Sequence, residues 1–371
     1  MKLIYIAASR IPTEKAHGIQ IMQMCAALTR CGAEVELWIP SRKNYICDDP
    51  FEYYGIETRF PIRRFPIWEA WWLPFGLGYL LLQYSFSRSL KKELSELPKS
   101  VVIYTRDIQP GAVARRLGKT VVWEAHTVNQ EAKTLISQWA VFTGIVSISQ
   151  GLKNELVRLS KLPEERILVA RDGFDDQLFR NLPRETRHNY VALYGGSAQL
   201  WKGVDTLVEA AKDIRGQITL ALSGSRDDIQ RIKRKKEERN AINIEIKSVS
   251  HAEMPKLLST SDTAIIPNLG GIPISERYTS PLKAFEAAAA GVPIIVSDLP
   301  SLREIFTDDE VTFFPAGDSA ALAKAVAYVK EHYEEAKEKA RRAQDKIQEY
   351  TWDRRASNIL RWIGERKGLD S

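Results

Sequence analysis

The sequence predicts an α/β chain of two doubly wound domains, each built on a parallel sheet. Three observations carry this. A length of 371 residues divides into about two domains at roughly 150 residues apiece. Short apolar runs alternate with helical patterns through both halves, and runs apolar at successive positions are those of strands covered on both faces. A polar stretch without apolar periodicity, RNLPRETRH at 180–188, separates the two series.

The elements follow in order. Strands are predicted near 2–7, 34–39, 101–104, 120–123, 145–148 and 167–169, and again near 190–194, 217–222, 244–249, 263–266, 293–296 and 310–313. Helical spacing appears at 19–30, 204–212, 254–259, 281–290 and 319–331, and 322–349 reads as one long, heavily charged helix. A last amphipathic helix begins after Tyr350, with Ile359, Leu360, Trp362 and Ile363 on its apolar side. The predicted division is 1–183 together with 351–371 for a first Rossmann-like domain, and 184–350 for a second.

Composition narrows the class. Hydrophobic residues at 44% and charged residues at 27% exclude a wholly disordered, collagen-like or coiled-coil chain. The net charge of +6 suits anionic ligands or an anionic membrane surface and is too small to imply a nucleic-acid partner. Cys25, Cys31 and Cys47 form neither a disulfide framework nor a zinc spacing, which fits a reducing cytoplasm. The opening MKLIYIAASRIP is too short an apolar run for a signal peptide and reads as a first buried strand.

The stretch 65–87 holds Trp68, Trp71 and Trp72, with Glu69 its only charge. Arg63 and Arg64 precede it and Arg88, Lys91 and Lys92 follow. Pro66, Pro74, Gly76, Gly78 and Gln83 break it up, which argues against a membrane span. Two readings stay open: a helix over 77–90 packed on the first sheet, and an aromatic, Arg-flanked loop lying in a membrane interface.

Four motifs can carry chemistry. The strongest is YTSPLKAFEAAAAGVPIIVSD at 278–298. Ser280 is placed to cap a helix that Pro281 opens, so the first N–H groups would face an anion. Glu286, a turn further on, can accept two hydrogen bonds from a vicinal diol such as a ribose. The second is Tyr194-Gly-Gly-Ser-Ala-Gln-Leu-Trp-Lys-Gly203, a strand running into a glycine loop and a lysine. The glycines, Gly196 among them, allow close backbone approach there, with Ser197 beside them as a donor-binding candidate, and Lys202 can neutralise a diphosphate. The spacing is not that of a Walker P-loop. The third is Glu124-Ala-His126, at the carboxyl end of a strand, where ligands of open α/β sheets bind. The fourth is Ala16-His17-Gly18, where the glycine allows either phosphate approach or a plain helix-start turn.

Taken together, and in this order, these residues resemble the GT-B glycosyltransferases of the large family-4 (group 1) retaining type. Ser149-Gln-Gly-Leu152, Asp172-Gly-Phe-Asp175 and Pro267-Asn268 fit the same pattern. The resemblance implies two Rossmann-like domains facing across a cleft, the first meeting the acceptor and the second the nucleotide sugar, with the final helix crossing back to the first. It implies a retaining, metal-independent, hexosyltransferase-like enzyme without a cofactor, using a UDP- or GDP-sugar, while the Trp-rich stretch 65–87 and its basic flanks point to a glycan or lipid-linked acceptor at the cytoplasmic membrane face. Glu286 matches the second Glu of the family's E-x7-E motif. Tyr278, Thr279, Ser280, Pro281 and Leu282 match the segment meeting diphosphate and sugar. Lys202 matches the phosphate lysine, Gly18 the N-terminal loop, and His126 the histidine near the reacting centre.

Two positions depart from the family. Tyr278 stands where the first Glu is usual, with Glu276 two residues earlier, and Gly196 stands where an Arg is usual. Phosphate charge then falls to Lys202 with a second base, Arg277 or Lys283. The alternatives to transfer are a sugar-nucleotide epimerase or phosphorylase of the same fold, and a non-catalytic sugar-nucleotide-binding protein. A dehydrogenase reading lacks a GxGxxG after the first strand.

Overall fold

The computed structural model describes residues 1–367 apart from Trp71, Phe75, 129–141, Lys161, Asn181 and 183–188. Most of the predicted domain break thus lies outside the described residues, as does Trp71. The chain divides into two compact units, 1–171 with 352–371, and 172–351.

In the first unit seven parallel strands run in the order β3-β2-β1-β4-β5-β6-β7. They are β1 (Lys2–Ile6), β2 (Glu34–Pro40), β3 (Ile62–Phe65), β4 (Val102–Thr105), β5 (Thr120–Ala125), β6 (Gly144–Ser147) and β7 (Ile167–Val169). Leu3 pairs with Val35 on one side and Val102 on the other. These strands are rich in β-branched and aromatic residues, which suit a pleated surface covered on both faces. β3 carries no apolar run to announce it. Arg63 and Arg64 stand mid-strand and exposed on the sheet edge, where charge discourages further pairing.

In the second unit six parallel strands run β10-β9-β8-β11-β12-β13. They are β8 (Val191–Ser197), β9 (Gln217–Ser223), β10 (Ile244–Lys247), β11 (Thr263–Ile266), β12 (Ile294–Ser297) and β13 (Thr312–Phe314). Side chains alternate between two cores. Ala192, Tyr194, Ile265 and Ile295 pack with Val204, Leu207 and Val326. Leu193, Ala264, Ile266 and Val296 pack with Ala284, Phe285 and Ala288. At about 1.5–3 kcal/mol per fully buried large aliphatic side chain, these two layers are the main source of stability.

Three expectations need correction. The charged stretch is two helices, Ser319–Glu331 and Tyr333–Ile347, parted at His332. The first buries Val326 and Val329 in one core and the second buries Ala343 and Ile347 in the other, so the axis must turn between them. Asp172–Thr351 forms one unit, where a divide at 183/184 was expected. The reason is local: Phe174 is buried in the second unit's core, its N–H donates to the Tyr350 carbonyl, and the Asp172 N–H donates to Ser280 Oγ at 2.8 Å. The third concerns Ser280 itself and is taken up with the site.

The last helix, Trp352–Lys367, belongs to the first unit. It buries Trp352, Ala356, Ile359 and Ile363, and Trp362 fills the space over Gly144, where an added Cβ would lie 2.2 Å from the indole. Helix Leu77–Glu96 buries Leu82, Phe86, Leu90 and Leu94 in the same unit. Among the described residues no helix is long and apolar enough to cross a membrane.

Candidate active site

In the second unit the strand order reverses between β8 and β11, and the carboxyl ends flanking such a reversal are where open α/β sheets bind ligands. β8 brings Tyr194, Gly195, Gly196 and Ser197 to this edge, and β11 ends just before Pro267 and Asn268. The chain leaves β8 through a turn, Leu200–Lys202, closed by Gly203 in the left-handed region at φ 69°. A Cβ at Gly203 would lie 1.7 Å from the Pro267 carbonyl oxygen, and Leu269 N–H donates to Trp201 O at 2.9 Å. The lysine turn is thereby fastened to the end of β11.

Lys202 and Lys283 come together here. Lys202 Nζ sits 3.7 Å from the Trp201 ring centre, a cation–π contact. Lys283 Nζ lies 4.4 Å from the Tyr194 ring centre and 3.5 Å from its hydroxyl, which donates to Ser197 O at 2.7 Å. Burial pushes the Lys202 ammonium down to a pKa of about 7. Burial, and then the charge of Lys202, hold Lys283 well below the usual lysine range. Among the described residues neither has a carboxylate partner. Two desolvated cations facing one another are an arrangement completed by a multiply charged anion. Of the two bases expected beside Lys202, Lys283 is the one that feels its charge.

Helix Leu282–Ala289 starts beside them, with Pro281 as its cap residue and no side-chain cap. Ser280 does not cap it as expected: its Oγ accepts the Asp172 N–H at 2.8 Å, because the chain entering the unit passes there and offers a donor first. The Leu282 and Ala284 N–H groups donate to Ser280 O and Pro281 O, so the opening turn satisfies part of its own donor set. Glu286 follows one turn later, with Oε1 3.7 Å from His251 Nδ1. Burial raises the Glu286 pKa while His251 opposes the rise. Tyr278 is buried, and Thr279 donates its hydroxyl to Ile274 O at 2.5 Å. Glu276 Oε1 accepts the Gly271 N–H at 2.9 Å, holding the turn before Tyr278. Met254 covers Gly195, whose added Cβ would lie 2.9 Å from the sulfur. Asn268 is fully buried, with neither amide atom bonded in the described structure.

In the first unit the reversal falls between β1 and β4. A cleft of about 270 Å³ opens at that edge, lined by His17, Tyr79, Arg106, Asp107, Trp123 and His126 among others. Burial, with the charge of Arg106 beside it, pushes His17 down to a pKa of about 4, so it is neutral near pH 7. His126 follows β5, and its Nε2 lies 2.5 Å from Glu124 Oε1. Gly18 has a packing reason of its own. An added Cβ would meet the Tyr54 hydroxyl at 2.1 Å, and that hydroxyl is held by the N–H and carbonyl of Thr13.

Ser149 Oγ accepts the Leu152 N–H at 3.1 Å, which gives the Ser149–Leu152 spacing a capping role at helix Gln150–Ser160. The sequence reading left out Asn268 and Arg355 as site candidates. Asn268 lies two residues past the end of β11, a signal that was available. Arg355 meets Glu124 across 231 positions, which no local pattern announces.

Residues 204–361 match the family described as glycosyl transferase-like. A phosphatidyl-myo-inositol mannosyltransferase of Mycobacterium leprae is 35% identical over 120 residues, 30% of this chain and 29% of that protein. A glycogen synthase of Mycobacterium tuberculosis is 25% identical over 250 residues, 64% of this chain and 58% of that protein. The chain thus spans less than two thirds of the length of either curated relative. Sucrose-phosphate synthase from Thermosynechococcus elongatus superposes with a TM-score of 0.78 at 18% identity, covering 100% of both chains. Residues 204–361 thus carry the glycosyl transferase-like match, and the chain as a whole has the GT-B fold. Anabaena HepE in complex with UDP shares this fold, with a TM-score of 0.73 at 14% identity over 98% of this chain and 100% of that one.

Proposed function

We propose that the chain transfers a hexose from a UDP- or GDP-sugar to a glycan or lipid-linked acceptor, with retention of anomeric configuration. The observation that carries this is the pair of half-buried, desolvated lysines at the switch point of the second sheet. A leaving nucleoside diphosphate gains charge as the sugar–oxygen bond breaks, and fixed cations in a dry site stabilise it most at that moment. Lys202 and Lys283 supply this charge, with the backbone of 280–282 beside them. The reading therefore includes no metal requirement, and turnover that survives chelation would support it.

Glu286 takes the ribose hydroxyls, and His126 orients the donor sugar. The acceptor hydroxyl adds to the anomeric carbon on the face the diphosphate leaves, and its proton passes to the departing phosphate oxygen. The HepE complex favours UDP as the first donor base to try. The test is a thermal-shift panel of UDP- and GDP-sugars, followed by NMR of the product's anomeric centre. No stabilisation by any of them would overturn the reading, and inversion would overturn the stereochemical part.

The lysine pair sets a pH dependence. With the Lys202 ammonium pushed down to about 7 in the free protein, binding a diphosphate above that pH must be accompanied by proton uptake on the lysine. Affinity for UDP should therefore fall from pH 7 to 9, by up to about tenfold per unit. Calorimetry in two buffers of different ionisation enthalpy would show the proton uptake directly. A flat profile would contradict the lysine assignment.

The acceptor side rests on the face around helix Leu77–Glu96. Trp68, Trp72, Leu80 and Tyr84 are exposed there, with Arg63, Arg88, Lys91 and Lys92 also exposed around them. Aromatic rings ringed by basic side chains favour the headgroup region of an anionic bilayer. The enzyme should float with anionic vesicles and not with zwitterionic ones, and the double variant Trp68→Ala, Trp72→Ala should float several-fold less. Equal recovery of both proteins would remove the cytoplasmic-face docking.

A further inference from the structure

We infer that Glu124 and Arg355 are positioning residues that fix which ring nitrogen of His126 carries its proton, an inference resting on His126 as a donor-sugar ligand. Glu124 is fully buried at the end of β5. A carboxylate is kept there only where donors surround it. Oε1 accepts from Gln20 Nε2 at 2.6 Å and faces His126 Nε2 at 2.5 Å. Oε2 accepts from the Tyr104 hydroxyl and from Arg355 Nη1 at 3.2 Å, with Arg355 Nη2 3.1 Å away in the ion pair. Arg355 comes from helix Trp352–Lys367, is itself buried, and is anchored by its Nε donating to Ala170 O at 3.2 Å.

The orientation of each partner is over-determined. The Gln20 carbonyl accepts from Arg106, so its amide nitrogen must face Glu124. Burial alone would favour a protonated Glu124. Arg355, with His126 and Arg106 adding to it, holds the carboxyl well below its ordinary range instead. An ionised carboxylate has no proton to give, so the hydrogen between it and His126 belongs to Nε2. In the neutral ring the lone pair then sits on Nδ1. The last helix thereby reaches the sugar-binding histidine through one buried carboxylate.

The same cluster could serve only to fasten the last helix to the first unit, and the test separates the two roles. In 15N NMR of the histidine-labelled full chain at about pH 8, with His126 assigned from a His126→Gln sample, Nε2 should be the protonated nitrogen. Glu124→Gln keeps the shape but adds two donors. Its carbonyl is expected to stay with Arg355 and Tyr104, so its NH2 turns to His126 and the hydrogen bond from Gln20 Nε2 is lost. His126 Nε2 must then accept, and the proton should move to Nδ1. A histidine held in the wrong tautomer is catalytically costly even where geometry survives. The expected result is a kcat lower by about tenfold or more with donor KM within about twofold.

A wild-type ring protonated on Nδ1 alone would overturn the inference whether or not any variant folds. So would a folded Glu124→Gln with an unchanged tautomer or unchanged kcat. The underlying reading has its own check. If His126→Ala keeps wild-type kcat and donor KM, the sugar-ligand role fails, while the tautomer measurement still reports on Glu124 and Arg355.

Discussion

Lys202→Ala should lower kcat by about 10²- to 10³-fold, with a smaller change in donor KM. The size follows from where the charge sits. Lys202 is half-buried beside a second desolvated cation and without an acidic partner among the described residues, so its field is poorly screened. In the free enzyme that field is a liability. The folded state lowers the pKa of Lys202, so it binds that proton less tightly than the unfolded chain does. Folding is thereby penalised at every pH below the ordinary lysine value, most fully below about 7. Replacing Lys202 with a neutral side chain should leave the melting temperature of the free protein unchanged or higher, while turnover collapses and stabilisation by UDP shrinks. A structural lysine would do the reverse, losing stability and activity together. Steady-state kinetics with paired melting curves decide the matter, and wild-type kinetics in the variant would end the diphosphate assignment.

Much of this arrangement is legible before any coordinates, and the part that is not has a physical reason. Parallel strands buried on both faces write themselves as apolar runs, so β1, β2 and β8 could be read directly. β3 could not, because an edge strand in this sheet carries Arg63 and Arg64 where a central strand carries Val or Ile. The turn at His332 was hidden for another reason. Alanines and charges favour helix on both sides of it, and the second helix, which starts with Ala336 in the first core, delivers Ala343 and Ile347 to the other. At the site, Glu286, Lys202 and the glycines of β8 stand within contiguous motifs. Ser280 was misread as a cap because its true partner, the Asp172 N–H, lies 108 positions earlier. The set around Glu124 was missed similarly. Gln20, Tyr104, Glu124 and Arg355 are brought together by the sheet order and by the return of the last helix, neither of which is a property of any window of sequence.

Gly203→Ala is the substitution expected to cost the second unit most. Two penalties coincide at this residue. Its φ of 69° is left-handed, which costs a residue with a Cβ about 1–2 kcal/mol. Its missing side chain is also occupied space, since the Pro267 carbonyl oxygen would lie 1.7 Å from the new carbon. That oxygen belongs to backbone and cannot rotate away as a side-chain tip could. The turn must lift off the end of β11, breaking the hydrogen bond from Leu269 to Trp201 and carrying Lys202 with it. A loss of about 3 kcal/mol or more is expected, with UDP binding lost at temperatures where the variant is still folded. Gly317→Ala separates the two penalties, because Gly317 has φ 81° and nothing closer to the added carbon than Leu269 Cδ2 at 3.8 Å. It should show the conformational cost alone, about 1–2 kcal/mol, and bind UDP normally. Equal melting temperatures for the two variants, or intact UDP binding by Gly203→Ala, would mean that the lysine turn does not depend on its seat against β11.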